Sequence, residues 1–211
     1  MVIDLRKCVG CGACSVICDQ TNKLAFNRWR RVFDCGVSDA PERQRLCMPL
    51  SCMHCNDAPC REVCPTGATH RRTDGIIDID YSRCIGCGYC IMACPYHARS
   101  ILFQNEYAME VGTLDGDVSP ENRLGVATKC NFCRPRIDEG LKKGLIPGRN
   151  PEASPACVIS CSAGALFFGD FDNPDSEASG LIRDNMTVLL QEELETHPSV
   201  YYLVDDSWKM R

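Results

Sequence analysis

Cys84-Ile85-Gly86-Cys87-Gly88-Tyr89-Cys90-Ile91-Met92-Ala93-Cys94-Pro95 follows the spacing C-x2-C-x2-C-x3-C-P, the run with which bacterial ferredoxins hold iron–sulfur clusters. Three more groups lie outward from it: Cys52-Cys55-Cys60-Cys64 and Cys8-Cys11-Cys14-Cys18 upstream, and Cys130-Cys133 with Cys157-Cys161 downstream. Together they take up sixteen of the eighteen cysteines. Four groups of four ligands predict four [4Fe–4S] clusters, and a row of clusters conducts electrons.

The residue types follow from the chemistry. Iron in a cubane takes soft, anionic ligands, which thiolates supply. The x2 gaps let one loop wrap a cluster with three sulfurs, while the fourth cysteine, after x3, turns away on a helix and ligates the neighbouring cluster. Applied to the outer pair of groups, this crossing rule predicts a first cluster on Cys8, Cys11, Cys14 and Cys161 and a second on Cys18, Cys130, Cys133 and Cys157. The inner pair gives a third on Cys52, Cys55, Cys60 and Cys94 and a fourth on Cys64, Cys84, Cys87 and Cys90. Zinc is the competing reading, because isolated CxxC pairs are zinc-ribbon ligands. Runs of four closely spaced cysteines exceed what a zinc knuckle uses. A disulfide framework is set aside, since the chain opens inside its first motif and the x2 gaps recur in blocks of four.

Composition narrows the function. Only 7% of the 211 residues are aromatic, and cysteine inflates the 45% hydrophobic fraction, so clusters must substitute for much of a packed core and couple metal binding to folding. The net charge of −5 leaves no basic footprint for nucleic acid. No apolar run reaches the roughly 18 residues of a membrane helix. Without a targeting signal the expected location is the cytoplasm, with export alongside a signal-bearing partner left open.

The organisation reads as α+β: two interleaved ferredoxin-like units with short hairpins, short helices and long loops. Residues 48–103 form the inner unit, with a hairpin over Thr69–Asp80 and a closing strand at Ser100–Phe103. Residues 1–18 and 130–170 form the outer one, pairing a strand at Val2–Leu5 with one at Ala165–Phe168. Residues 19–47 and 104–129 are connectors, the stretch from 104 being read as loop, and 171–211 hold a C-terminal helix and tail. Short helical turns are expected at Cys14–Cys18, Cys60–Cys64 and Cys90–Cys94, and a short helix at Arg136–Lys142. The apolar spacing from Ser179 to Glu195 predicts an amphipathic helix, and Pro198–Val204 reads as an extended segment laid on a surface. Cys35 and Cys47, outside every group, read as buried small apolar side chains. His54 is expected to pack near a cluster or hydrogen-bond to it. Arg28, Arg30 and Arg31 read as a solvated face, with basic side chains near the cysteines as counter-charge. No Rossmann fingerprint, P-loop or nucleophile elbow is present, which predicts a non-catalytic electron carrier.

The order of the groups, with Lys129-Cys130-Asn131-Phe132-Cys133 opening the fourth, resembles the four-cluster iron–sulfur (beta) subunits of the molybdopterin oxidoreductases, the dimethyl sulfoxide reductase-like family. Ile3-Asp4-Leu5-Arg6-Lys7-Cys8, Cys60-Arg61-Glu62-Val63-Cys64-Pro65-Thr66-Gly67-Ala68 and Gly169-Asp170-Phe171-Asp172-Asn173-Pro174 carry the likeness over nearly the whole chain. It implies a subunit wiring a large molybdenum or tungsten bis-pterin catalytic subunit to a membrane anchor or another redox carrier. It also implies that the cluster of Cys8, Cys11, Cys14 and Cys161 lies nearest the catalytic subunit, with that of Cys64, Cys84, Cys87 and Cys90 at the far end. Nitrate reductases carry Trp and a three-iron cluster where this chain has Cys87, so a four-iron cluster is expected here. Ser162 stands where relatives commonly place Pro. A free-standing polyferredoxin, or a carrier linked to hydrogenase or formate dehydrogenase, is the alternative.

Overall fold

Val2, Ile3 and Asp4 are all buried in strand β1 (Val2–Asp4), which lies inside a four-stranded sheet. Strand β8 (Leu166–Phe167) lies antiparallel along one edge and β10 (Tyr201–Leu203) parallel along the other. Beyond β10 lies β9 (Thr187–Val188), giving the order β8-β1-β10-β9. The computed structural model describes residues 1–24, 29–37, 45–101 and 123–205. The α+β class holds, with short strands and mostly short helices.

The inner hairpin forms as expected, β4 (Thr69–Arg71) against β5 (Ile77–Ile79), turning through Gly75 at φ 81°. The same local bonding recurs at β1 and β8. Asp80 N–H donates to Ala68 O at 2.9 Å, and Asp4 N–H to Ala165 O at 2.8 Å. Cys84 N–H then reaches Asp80 O and Cys8 N–H reaches Asp4 O, both at 3.2 Å. Each Asp is therefore the hinge from a strand into a cysteine loop.

The connector between the first two groups contains a long antiparallel strand pair, β2 (Arg31–Val37) with β3 (Arg45–Leu50), pairing Asp34 with Cys47. Several expectations are corrected. Strand β6 (Ser100–Ile101) does not close the inner hairpin but pairs with β7 (Ala127–Thr128), so the end of the stretch read as loop is a strand; Leu102, Phe103 and 104–122 lie outside the described residues. The C-terminal helix is short, Glu177–Asp184, because Asn185 turns extended at φ −132° and its side-chain amide caps Leu181 O at 3.0 Å. β-Branched Thr187 and Val188 then suit a strand. The supposed surface tail is a central strand: Tyr202 is fully buried and its hydroxyl donates to Pro49 O at 2.9 Å. A Tyr202→Phe variant is expected to cost about 1–2 kcal/mol through the carbonyl left without this donor, read as a lower apparent midpoint in thermal bleaching of the chromophore.

Helix α1 runs Ala13–Asn22, a full turn past Cys18. Asp19 stands where proline would remove the amide that a continuing helix requires. By contrast α2 (Pro59–Glu62) and α3 (Tyr89–Met92) stop before Cys64-Pro65 and Cys94-Pro95. Helix α4 begins at Arg134 and ends at Lys142, two residues earlier at its start than expected, and α5 covers Ala156–Ile159. The C-terminal helix is α6. Among the described residues no helix is long and apolar enough to cross a membrane.

Candidate iron–sulfur centres

The four cysteine groups share a backbone turn. Gly10, His54, Gly86 and Phe132, each the residue before the second cysteine of its group, take φ of 70°, 46°, 67° and 54°. This left-handed conformation folds the x2 loop inward and is one that side chains rarely adopt. Where it is not glycine, the two occupants stack on each other, the His54 and Phe132 rings lying 3.6 Å apart. A second shared turn follows the last cysteine of three groups. Gly67, His97 and Gly164 are left-handed, and their amides return to the carbonyls of Cys64, Cys94 and Cys161 at 3.2, 3.2 and 3.0 Å.

Backbone amides are aimed at sulfur. Thr69 N–H donates to Cys64 Sγ at 3.4 Å, Ala165 N–H to Cys161 Sγ at 3.3 Å and Ala127 N–H to Cys84 Sγ at 3.5 Å. Asn22 adds its side-chain amide to Cys18 Sγ at 3.6 Å. The groups also meet across the chain. Cys52, Cys55, Cys60 and Cys94 line one cavity, together with Tyr96 and Arg99. The thiol of Cys14 is pushed up to about 11 by burial, with smaller contributions from the charges of Cys157, Cys8 and Cys161. Burial likewise lifts Cys18, whose charged neighbours are Cys130, Cys157 and Cys133. Cys90 is raised by burial, against Arg99, with Cys84 and Cys64 beside it. Cys130, at about 12 through burial, is also within reach of Cys52. Cys64 is pushed up by burial, but the Thr69 amide and the Thr66 hydroxyl outweigh this and hold it below the ordinary thiol range.

This donor set fits a cluster. The sixteen cysteines are all free thiols, and burial that opposes ionisation is offset only if a metal takes the proton's place. Buried donors near them also lack acceptors among the described residues: Arg30 Nε and Nη1, Arg99 Nε and His54 Nε2. His54 is held well below its ordinary range by burial first and then by Lys129. Its Nδ1 accepts from Ile77 N–H at 3.1 Å, so the proton sits on Nε2. Such orphaned donors match an anionic sulfide-bearing group.

Cys47 is buried as expected, with its Sγ against Gly10 so closely that a Cβ there would collide with it. Cys35 is exposed, contrary to expectation, in the stretch between Asp34 and Val37 where the register of β2 against β3 shifts. Arg30, read as solvated, is entirely buried, while Arg31 lies on the surface and bonds His97 O at 3.1 Å; Arg28 lies outside the described residues. His70 contacts Ala68 O at 3.1 Å and His197 pairs with Asp57 at 2.7 Å. Sequence reasoning missed Asn22, Thr66 and Arg99; Arg99 carried a signal only in its position five residues past Cys94. Large apolar side chains stand exposed around the first and third groups, namely Val9, Val16, Ile85, Tyr89 and Met92, the last at 87%.

A 4Fe–4S dicluster domain model matches residues 44–111. The chain is 40% identical to a provisionally named dimethyl sulfoxide reductase iron–sulfur subunit of Halobacterium salinarum, over 96% of this chain and 78% of that protein. It is 37% identical to a selenate reductase subunit of Mesobacillus selenatarsenatis, over 96% and 70%. It is 34% identical to the arsenate respiratory reductase iron–sulfur subunit of a Shewanella species, over 96% and 94%.

Proposed function

Since this chain belongs to the iron–sulfur electron-transfer subunits of the molybdopterin oxidoreductases, we propose that it relays electrons through four [4Fe–4S] clusters between a large molybdenum or tungsten pterin subunit and a membrane anchor or other redox carrier. Each cluster, when bound, accepts and returns one electron. The ligand sets are those of the crossing rule: Cys8, Cys11, Cys14 and Cys161; Cys18, Cys130, Cys133 and Cys157; Cys52, Cys55, Cys60 and Cys94; and Cys64, Cys84, Cys87 and Cys90. They belong to two interleaved units, residues 1–18 with 130–170 and residues 48–103.

One observation carries this reading: the cysteine groups pack on one another in succession. Helix α1, with Cys14 and Cys18, packs on α5, with Cys157; His54 of the Cys52–Cys55 loop stacks on Phe132 of the Cys130–Cys133 loop; and α2, with Cys60, packs on α3, with Cys90, which supports the order first, second, third, fourth. The chain's own residues hold the thiolates, donate N–H groups to sulfur and keep water from the buried groups. At the two ends, Val9 with Val16, and Ile85 with Tyr89 and Met92, offer exposed apolar surface of the kind that interfaces between subunits cover.

Anaerobic purification from the native source is expected to yield iron and acid-labile sulfide in equal amounts, with a large molybdenum- or tungsten-containing subunit attached. A monomer that carries the same iron but never co-purifies with such a subunit would favour the free polyferredoxin, and zinc without sulfide would end the cluster reading.

A further inference from the structure

Three buried cations lie where neighbouring cysteine groups meet. Arg30 is 0% exposed. Its Nη2 donates to Met1 Sδ at 3.0 Å, while Nε and Nη1 have no acceptor among the described residues. Its electrostatic neighbours include Cys157, Cys130 and Cys14, and the helices that carry Cys14 and Cys157 pack on each other, so its surroundings hold ligands assigned to the first cluster and to the second. Arg99 repeats this between the third and fourth. Its Nη2 donates to Cys60 Sγ at 3.0 Å and its Nη1 to Thr69 Oγ1 at 3.1 Å, while Nε has no acceptor among the described residues. Its charged neighbours are Cys60, Cys52 and Cys90. Lys129 occupies the junction between them, donating from Nζ to the carbonyls of Ile77 and of Cys130, the latter at 2.9 Å, and its charge reaches Cys60.

A guanidinium buried with unmet N–H groups is unfavourable unless an anion lies against it. Lys129 satisfies itself on carbonyls; the two arginines do not. We infer that Arg30 and Arg99 set the reduction potentials of the clusters, each lying between two consecutive clusters and directing its unpartnered N–H groups at their sulfur. This rests on the four-cluster assignment proposed above. Reduction adds a negative charge to a cluster in a poorly screened interior, where a fixed cation favours it strongly. Hydrogen bonds to sulfur act in the same direction, and net charge and such bonds are the known determinants of cluster potential. A cation in the gap serves both neighbours at once and offsets the repulsion between them when both are reduced. Arginine suits this better than lysine, because its planar fork can donate to two sides.

The test is an EPR-monitored redox titration of the assembled protein with its partner subunits. Arg30→Gln is expected to lower the midpoints of two clusters, each by a tenfold fall in the equilibrium constant for reduction, about 59 mV for a one-electron couple, leaving the other two in place. Arg99→Gln is expected to lower the complementary two. Arg30→Lys restores the charge without the fork and is expected to recover part of the shift. Unchanged midpoints in both Gln variants would overturn the inference, as would an equal shift of all four clusters. Should Arg30→Gln fail to load iron, Arg99→Gln decides alone, and failure of both to assemble also counts against a role confined to potential. A wild-type protein with no cluster signal on reduction would instead refute the four-cluster assignment itself.

Discussion

A Cys94→Ser variant is expected to lose the same cluster signal as a Cys52→Ser variant, and to keep the signal that Cys84→Ser abolishes. Cys94 is ten residues from Cys84 in sequence, so the motif alone would make the two ligands of one cluster. The x3 step places Cys94 after helix α3, turned from the loop that carries Cys84 and Cys87. It lines the cavity of Cys52, Cys55 and Cys60 instead. The effect should be large, because a missing ligand removes metal on which the local fold depends. Low-temperature EPR of the reduced protein, with iron analysis, checks this: one cluster is lost, and it is the one that Cys52→Ser removes. Loss of the signal shared by Cys84 and Cys87 would return each run to its own cluster and undo the crossing throughout.

What the sequence made legible was local. Ligand spacing, the Thr73-Asp74-Gly75 turn and the alternation of Ile77-Asp78-Ile79 are properties of a few consecutive residues. What stayed hidden depended on remote partners. The strand Tyr201–Leu203 has no marked alternation and becomes central only because β1, from the opposite end of the chain, lies beside it. Ser179–Glu195 shows helical spacing throughout, yet pairing of Thr187 and Val188 with that strand overrides it after Asp184. Arg30 sits in a run of basic residues that reads as surface, and nothing local reveals that the fold buries it completely, with Cys14, Cys130 and Cys157 as its electrostatic neighbours. The left-handed turns were half legible. Gly10 and Gly86 advertise them, whereas His54 and Phe132 adopt the same conformation under the constraint of packing against each other.

Gly86→Ala is expected to destabilise the end of the relay formed by Cys64, Cys84, Cys87 and Cys90, and far more than the neighbouring change Gly88→Ala. Both glycines are left-handed, at φ 67° and 78°, so both variants incur the conformational cost of roughly 1–2 kcal/mol. They differ in what a Cβ would meet. At Gly88 nothing among the described residues lies within 4 Å, but at Gly86 the new atom runs into the carbonyl of Gly125. That carbonyl belongs to the segment 123–128, anchored at one end by the pairing of β7 with β6 and by the Ala127 amide at Cys84 Sγ, and at the other by Arg123, which donates to Asn22 O at 2.7 Å. Backbone held at both ends cannot yield as a flexible side chain would, and overpacking of this kind adds about 1–3 kcal/mol. For a chain of this length each kcal/mol lowers the melting midpoint by about 2–4 °C. Gly86→Ala should therefore bleach several degrees below Gly88→Ala, with the signal that depends on Cys84 lost first and that of Cys8 and Cys11 retained. Equal midpoints for the two variants would mean that the segment 123–128 does not bear on the Cys84–Cys87 loop, and the Ala127 amide would then have no fixed place beside Cys84.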